Sequence, residues 1–299
     1  MSFPAIRPID DGIPQLSTPV AMGGYRLTEE CPPHDTLPVV SVITVTYNRL
    51  QLVERTIRSI LAQTYKDYEL IVIDGGSSDG TLKLLHDLSA KIAYWVSGPD
   101  GGIGDAMNKG LQVARGQWII FLHSDDYFLG SDCLRSVSNV LAKSLEDIVA
   151  FRLYGEDASG RRWPRSNHPW SWRINLKTSL LHQATFCRRE LFVRIGGFDQ
   201  KIPVAMDYDW FLRAYRSGAQ ARLLGHMVSV MSNGGVSARM DRVSLSHRLG
   251  DERFIHYRYA SSAMRPFYWI YWLIYPLYVS IRTRVWVRPV ARAVDRHVG

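Results

Sequence analysis

The residues best placed to do chemistry are carboxylates that close apolar runs. Trp118 to Leu122 lead through His123 and Ser124 into the adjacent pair Asp125 and Asp126. Adjacent aspartates repel each other, so a fold that sets them at one strand end needs positive charge there. A divalent cation carrying a phosphate meets that need through hard oxygen ligands. The competing reading makes both residues loop and helix-capping groups. Asp74 closes a second run, ELIVID, and precedes Gly75 and Gly76, which let the backbone turn tightly and approach a ligand. A carboxylate there can accept a hydrogen bond from a base N–H or a ribose hydroxyl, while Ser77, Ser78 and Asp79 suit the cap of the next helix. Asp207 opens a helical pattern in MDYDWFLRAY. It is either an N-terminal carboxylate favoured by the helix dipole or a base. Asp209, two residues on, faces elsewhere on such a helix, so only one of the two can point into a shared site.

These carboxylates need elements that bring them together. From Val39 the chain alternates VVSVITVTY, a helix with Val53, Ile57, Ile60 and Leu61 on one side, ELIVID, a helix near 80–88, IAYWVS, a helix from about Gly104, and WIIFL. This spacing predicts βαβ units and a Rossmann-like, mostly parallel sheet with right-handed crossovers. Open sheets of that kind bind ligands beyond the carboxyl ends of their strands, where Asp74, Asp125 and Asp126 fall. Residues 1–37 carry scattered prolines and Gly23–Gly24 with little periodicity and read as an irregular arm. Residues from about 130 to 250 mix shorter strands with helices and are richer in Trp, Arg and His. The stretch Phe267 to Ile281 is apolar and aromatic, is interrupted by Pro276, and is shorter than the roughly 20 residues that span a bilayer. Arg282, Arg284, Arg288, Arg292 and Arg296 follow it. Such a segment suits the headgroup region of an anionic membrane; a core or dimer helix with a solvated basic end is the alternative.

Composition narrows the classes. A hydrophobic content of 46% supports a substantial core, and a net charge of +8 points to an anionic partner. Cys31, Cys133 and Cys187 lack CxxC spacing, which argues against a zinc site or a disulfide framework and fits a reducing cytoplasm. The N-terminal residues lack the pattern of a secretory signal. The strand-to-helix turns lack GxGxxG, which disfavours a dinucleotide oxidoreductase. The basic residues alternate with aliphatics instead of lining a polar face, which disfavours nucleic acid.

Together the motifs SVITVTYNR, VIDGGSSDGT, GGIGDAMNKG, FLHSDD, HQATFCRRELFVRIGGFD and MDYDW resemble, in this order, the family 2 glycosyltransferases, over about residues 39–250. The resemblance implies the α/β GT-A fold, with a nucleotide-sugar half at 38–128 and an acceptor half at 129–250; the aromatic and basic residues behind it are read as a helical, membrane-associating segment at 251–299. It implies inverting transfer of a sugar from a nucleoside diphosphate donor, with a UDP-sugar expected, to an acceptor hydroxyl. Thr46, Tyr47, Asn48, Asp74, Gly75, Asp105, Asn108, Lys109, Ser124 and Asp125 would contact the donor. Asp126 would hold Mg²⁺ or Mn²⁺, and Asp207 would be the base. His182, Gln183, Asp209 and Trp210 would line the acceptor or sugar site. From the residues alone, Asp105 and Lys109 also read as a surface ion pair and Asp209 as a partner of Arg213.

Three positions depart from the family pattern: Gly75 stands where a second acid is common, Met107 where an arginine is, and Val45 where a proline is. No QxxRW follows, so one or a few sugars per encounter are expected. The expected acceptor is a polyprenyl-diphosphate-linked or other glycan in bacterial surface polysaccharide or glycolipid synthesis. The expected location is the cytoplasmic face of the plasma membrane, reached through residues 267–296, with a homo-oligomer as an option. The reading from another class is a catalytically silent nucleotide-sugar-binding scaffold.

Overall fold

The computed structural model describes residues 3–6, 19–28, 37–232 and 241–283. The strands are β1 (Ala21–Gly23), β2 (Val40–Thr46), β3 (Tyr68–Asp74), β4 (Tyr94–Ser97), β5 (Trp118–Phe121), β6 (Tyr127–Phe128), β7 (Ile148–Glu156), β8 (Arg162–Arg165), β9 (Thr185–Arg188) and β10 (Ala221–Ser232). The helices are α1 (Leu50–Leu61), α2 (Thr81–Asp87), α3 (Ile103–Val113), α4 (Cys133–Leu141), α5 (Arg189–Ile195), α6 (Met206–Arg216), α7 (Arg242–Tyr259) and α8 (Met264–Thr283). The strands form one sheet in the order β1-β4-β3-β2-β5-β9-β7-β10-β6, with β8 on β7.

The first half follows from its hydrophobic pattern. β2 is buried along its whole length, as a central parallel strand must be. Alternation sends Ile43 and Val45 into one core layer and Val40 and Val42 into the other; β3 divides Ile71 and Ile73 from Leu70 and Val72 in the same way. β2 runs parallel to β3 and β5, and β3 runs parallel to β4. The register pairs Thr46 with Asp74, Asp74 with Ser97, and Ile43 with Phe121. The carboxyl ends of these strands, and the loop from Leu122 to Asp126, therefore share one edge. The α/β architecture expected from the sequence is the observed one, and α7 and α8 supply the C-terminal helices. The second half departs from parallel order: β9 runs antiparallel to β5 and β7, and only β10 returns parallel to β7.

Two segments take on structure that local pattern does not announce. Within the arm at 1–37, Ala21–Gly23 adds an antiparallel edge strand to β4, and Ile6 is buried in the core. Backbone pairing and burial with distant residues, rather than local periodicity, order these pieces. At the other end, α7 runs uninterrupted through the boundary expected at 250–251. Asp251 on α7 accepts hydrogen bonds from the backbone N–H groups of Val204 (2.9 Å) and Ala205 (3.2 Å), fixing the turn that starts α6. Arg284 to Arg296 lie outside the described residues.

Candidate active site

The shared sheet edge opens into a cavity of about 350 Å³. Thr46 and Tyr47 wall it from the end of β2, Asp100 and Met107 from the start of α3, and His123 to Asp126 from the loop after β5. His182, Gln183 and Asp207 complete it from the second half. The structure thus brings together Thr46, Tyr47, Ser124, Asp125, Asp126, His182, Gln183 and Asp207 of the residues expected from the sequence.

The aspartate pair is held asymmetrically. Asp125 Oδ2 lies 3.4 Å from the guanidinium of Arg49, and Arg55 donates to the Asp125 carbonyl at 3.2 Å. The Asp126 carbonyl accepts from Thr56 Oγ1 at 2.6 Å, yet its side-chain Oδ1 is buried with no partner among the described residues. Burial, reinforced by the charge of Asp125, pushes the Asp126 carboxyl well above the usual carboxylate range. Burial also raises Asp125, against the opposing pull of Arg49. A buried carboxylate oxygen without a donor, beside a second carboxylate, fits a hard divalent cation. Among the described residues no group of three His, Cys, Asp or Glu side chains could hold a metal alone. Asp125 and Asp126 would supply part of the oxygen shell of such an ion.

Asp207 stands in the first turn of α6. Its Oδ1 accepts from the Tyr208 N–H at 2.7 Å, and its Oδ2 lies 3.3 Å from His182 Nδ1, within reach of a ring N–H donor. The His182 ring sits 5.0 Å from that of His123. Burial, with a smaller contribution from His182, drives His123 well below the usual imidazole range, so it is neutral.

Other residues expected in the site hold contacts within the protein around the cavity. Asp74 is buried, accepts from the Ser77 N–H at 3.0 Å and from Ser97 Oγ at 2.6 Å, and is also bonded by the Ser77 hydroxyl. Asn48 has a left-handed φ of 49° and accepts from the Ser78 N–H at 2.8 Å, stapling the turn after Asp74 to the end of β2. Asp79 accepts from the N–H groups of Thr81 and Leu50, the capping role. At Gly75 a Cβ would stand 2.7 Å from Asp100 Oδ2, so the close approach there is to a side chain of the cavity wall. Asp105 and Lys109 form the ion pair, at 3.0 Å, and Lys109 also donates to the Pro99 carbonyl. Asn108 clamps Phe198 through both its N–H and its carbonyl, each at 2.8 Å.

Asp209 and Trp210, expected to line the acceptor or sugar site, lie buried in the core and do not line the cavity. Asp209 is fully buried, 2.9 Å from Arg213 Nε, and accepts from the Tyr259 hydroxyl at 2.9 Å. Trp210 stacks on Phe192 with ring centroids 4.2 Å apart and donates to the Gly196 carbonyl. Removing one partner of such a pair strands a buried charge. Asp209→Ala is accordingly expected to lower unfolding free energy by about 3–5 kcal/mol in chemical denaturation. An unchanged midpoint would show that Arg213, which also donates to the Ile195 and Gly197 carbonyls, is fully compensated without it.

Arg49, Asp100 and His123 were not singled out from the sequence. The signals were present: Arg49 is a base just beyond the carboxyl end of β2, and Asp100 sits in the PDGG turn that starts α3. Burial pushes Asp100 up as well.

A family model described as "Glycosyl transferase family 2" matches residues 41–200. An uncharacterized glycosyltransferase of Mycobacterium tuberculosis, Rv1514c, is 40% identical over 185 residues, 59% of this chain and 69% of that protein. A PGL/p-HBAD biosynthesis glycosyltransferase of Mycobacterium bovis is 31% identical over 230 residues, 71% of this chain and 87% of that one. Among solved structures, the mannosyltransferase PcManGT from Pyrobaculum calidifontis, in complex with GDP-Man and Mn²⁺, superposes with a TM-score of 0.59 at 20% identity, covering 83% of this chain and 74% of that one. S. aureus TarS 1–349 in complex with UDP-GlcNAc gives 0.57 at 20% identity, covering 72% and 66%. Against the longer TarS chain, this chain spans 38% of the length. At these identities the structural likeness is one of fold.

Proposed function

This chain belongs to glycosyl transferase family 2 and is a glycosyltransferase, and from that premise we propose that it moves one sugar from a UDP-sugar to an acceptor hydroxyl with inversion at the anomeric carbon. The acceptor is a lipid-linked saccharide in bacterial surface polysaccharide or glycolipid synthesis, which sets the reaction at the cytoplasmic face of the plasma membrane. The observation that carries the reading is that one cavity holds both the unpartnered oxygen of Asp126 and the carboxylate of Asp207.

Each residue then has a physical task. Tyr47, well exposed at the cavity rim, offers a ring face to a nucleobase. Arg49 offsets the charge of Asp125, which keeps two carboxylates tolerable in one buried loop. Mg²⁺ or Mn²⁺, held by Asp126 and Asp125 with diphosphate oxygens, would supply Lewis-acid neutralisation of the leaving group. Asp207 accepts the proton of the acceptor hydroxyl as its oxygen bonds to the anomeric carbon, and the bond to the nucleoside diphosphate breaks with its electron pair. His182, hydrogen-bonded to Asp207 Oδ2, keeps that carboxylate oriented.

The UDP preference takes support from the TarS complex with UDP-GlcNAc; the PcManGT complex with GDP-Man makes guanosine the competitor. Thermal shift against UDP, GDP, dTDP and CDP, with and without Mn²⁺, tests it. Ligand at 100 times its Kd stabilises by about 2.7 kcal/mol, so a rise in Tm confined to UDP with Mn²⁺ is expected. A rise confined to GDP would reassign the donor. Donor turnover in the presence of acceptor separates the enzyme from a silent scaffold, which binds nucleotide and releases none.

A further inference from the structure

Helix α8 has two apolar faces, and among the described residues only one of them is packed. Tyr268, Trp272 and Val279 are buried in a small cluster with Leu245 and Leu249 of α7. On the other side Trp269, Ile270, Leu273, Ile274, Leu277 and Ile281 recur at helical spacing and are 50% (Leu277) to 71% (Ile281) exposed. Exposed large apolar side chains in a contiguous stripe mark an interaction surface, since water-exposed apolar area favours burial. We infer that this outer face of α8 seats in the headgroup boundary of an anionic lipid bilayer, the helix lying in the plane of the membrane.

Charge selects lipid over a second copy of the chain. Exposed Arg265 and Arg282 bracket the stripe, and the sequence adds Arg284, Arg288, Arg292 and Arg296 against the single acid Asp295. Two copies meeting through this face would bring like charges together, whereas each basic residue near an anionic leaflet gains about 1 kcal/mol. Trp269 and Tyr278, on the outer face, are the side chains that prefer the headgroup level. No helix among the described residues is long and apolar enough to cross a membrane, so α8 lies on it.

The inner face gives the docking a consequence for the site. Trp272 Nε1 donates to His256 Nδ1 at 3.1 Å, and His256 Nε2 lies 3.0 Å from the hydroxyl of Tyr208, the residue after Asp207. Burial lowers His256 to about 3, so its ring stays neutral and the chain of contacts holds across physiological pH. The docking helix is therefore fixed to the helix that carries Asp207.

Vesicle flotation of the full chain tests the surface without reference to catalysis. Flotation is expected with phosphatidylglycerol-containing vesicles, and at least tenfold less with phosphatidylcholine alone. The double variant Leu273→Glu/Leu277→Glu should lose at least tenfold of the binding while keeping its circular dichroism spectrum. Should that variant misfold, Arg265→Gln/Arg282→Gln retains the apolar stripe and is expected to weaken anionic binding about fivefold per charge, the equivalent of about 1 kcal/mol each. A chain that stays soluble with both vesicle types overturns the inference. So does a dimer in sedimentation that Leu273→Glu/Leu277→Glu dissociates, because it assigns the face to a second copy.

Discussion

Asp207→Asn is expected to lower kcat for sugar transfer by about 10²–10⁴-fold, the contribution of a positioned general base, while donor affinity stays within about twofold. The amide keeps the shape of the carboxylate. Its oxygen can still accept from the Tyr208 N–H, so the first turn of α6 is preserved. What it loses is the capacity to accept a proton. The cost to the fold is bounded, since a negative charge at a helix N-terminus contributes about 0.3–1 kcal/mol. Loss of activity from unfolding is therefore separable by the melting temperature. Single-turnover kinetics with bound donor isolates the chemical step, and nucleotide titration reports the donor site. Transfer at the wild-type rate would remove Asp207 from the chemistry and leave it a helix-capping carboxylate. His182 makes a finer distinction. With Nδ1 3.3 Å from Asp207 Oδ2, His182→Ala should lower kcat by a larger factor than it changes the KM for donor, since the hydrogen bond it removes is made to the base.

In the first half, up to WIIFL, the strands, the helices and the sheet edge where their carboxyl ends meet were legible because their signals are local. Alternation places Ile43 and Val45 opposite Val40 and Val42, and glycine-bounded apolar runs stop where the polar residues begin. On α6, two residues of separation turn the side chain to another face, which separates Asp207 in the cavity from Asp209 in the core. Whether a polar side chain in a motif serves a ligand or the protein is another matter, because the deciding partner lies far along the chain. Asn108 is spent on Phe198 and Asp209 on Tyr259, and no spacing within their own helices announces either contact. Asp74 shows the same in local form: the Ser77 N–H and hydroxyl and the neighbouring strand's Ser97 bond the oxygens that were expected to meet a nucleoside, contacts that hold the carboxylate in place. The same limit hid Ile6 and β1 in a segment without periodicity, since burial and edge pairing with distant residues are not encoded in local spacing.

Asp126 carries the second large effect, with a sign that pH reveals. Asp126→Asn is expected to reduce transfer by about 10²–10³-fold, equivalent to about 3–4 kcal/mol of leaving-group stabilisation, and to abolish the gain in Tm that Mn²⁺ gives with UDP. Its folded pKa is raised by burial and by Asp125, so between the ordinary carboxylate range and that raised value the native state holds a proton that the unfolded chain has released. The native state binds more protons there, so metal-free stability is fully present at lower pH and falls as pH climbs through that window. A cation requires the ionised carboxylate, and its affinity must therefore rise with pH over the same window. Two opposite slopes follow in the wild type: the metal-free melting temperature declines with pH, while the increment given by Mn²⁺ with UDP grows. The asparagine mimics the protonated side chain, so the variant should show a flatter pH dependence without metal and no increment with it. Parallel melting curves in wild type and variant across pH, with and without Mn²⁺, would show that Asp126 neither holds that proton nor the ion. The unpartnered oxygen would then need a different explanation, such as a buried water bridging it to its loop.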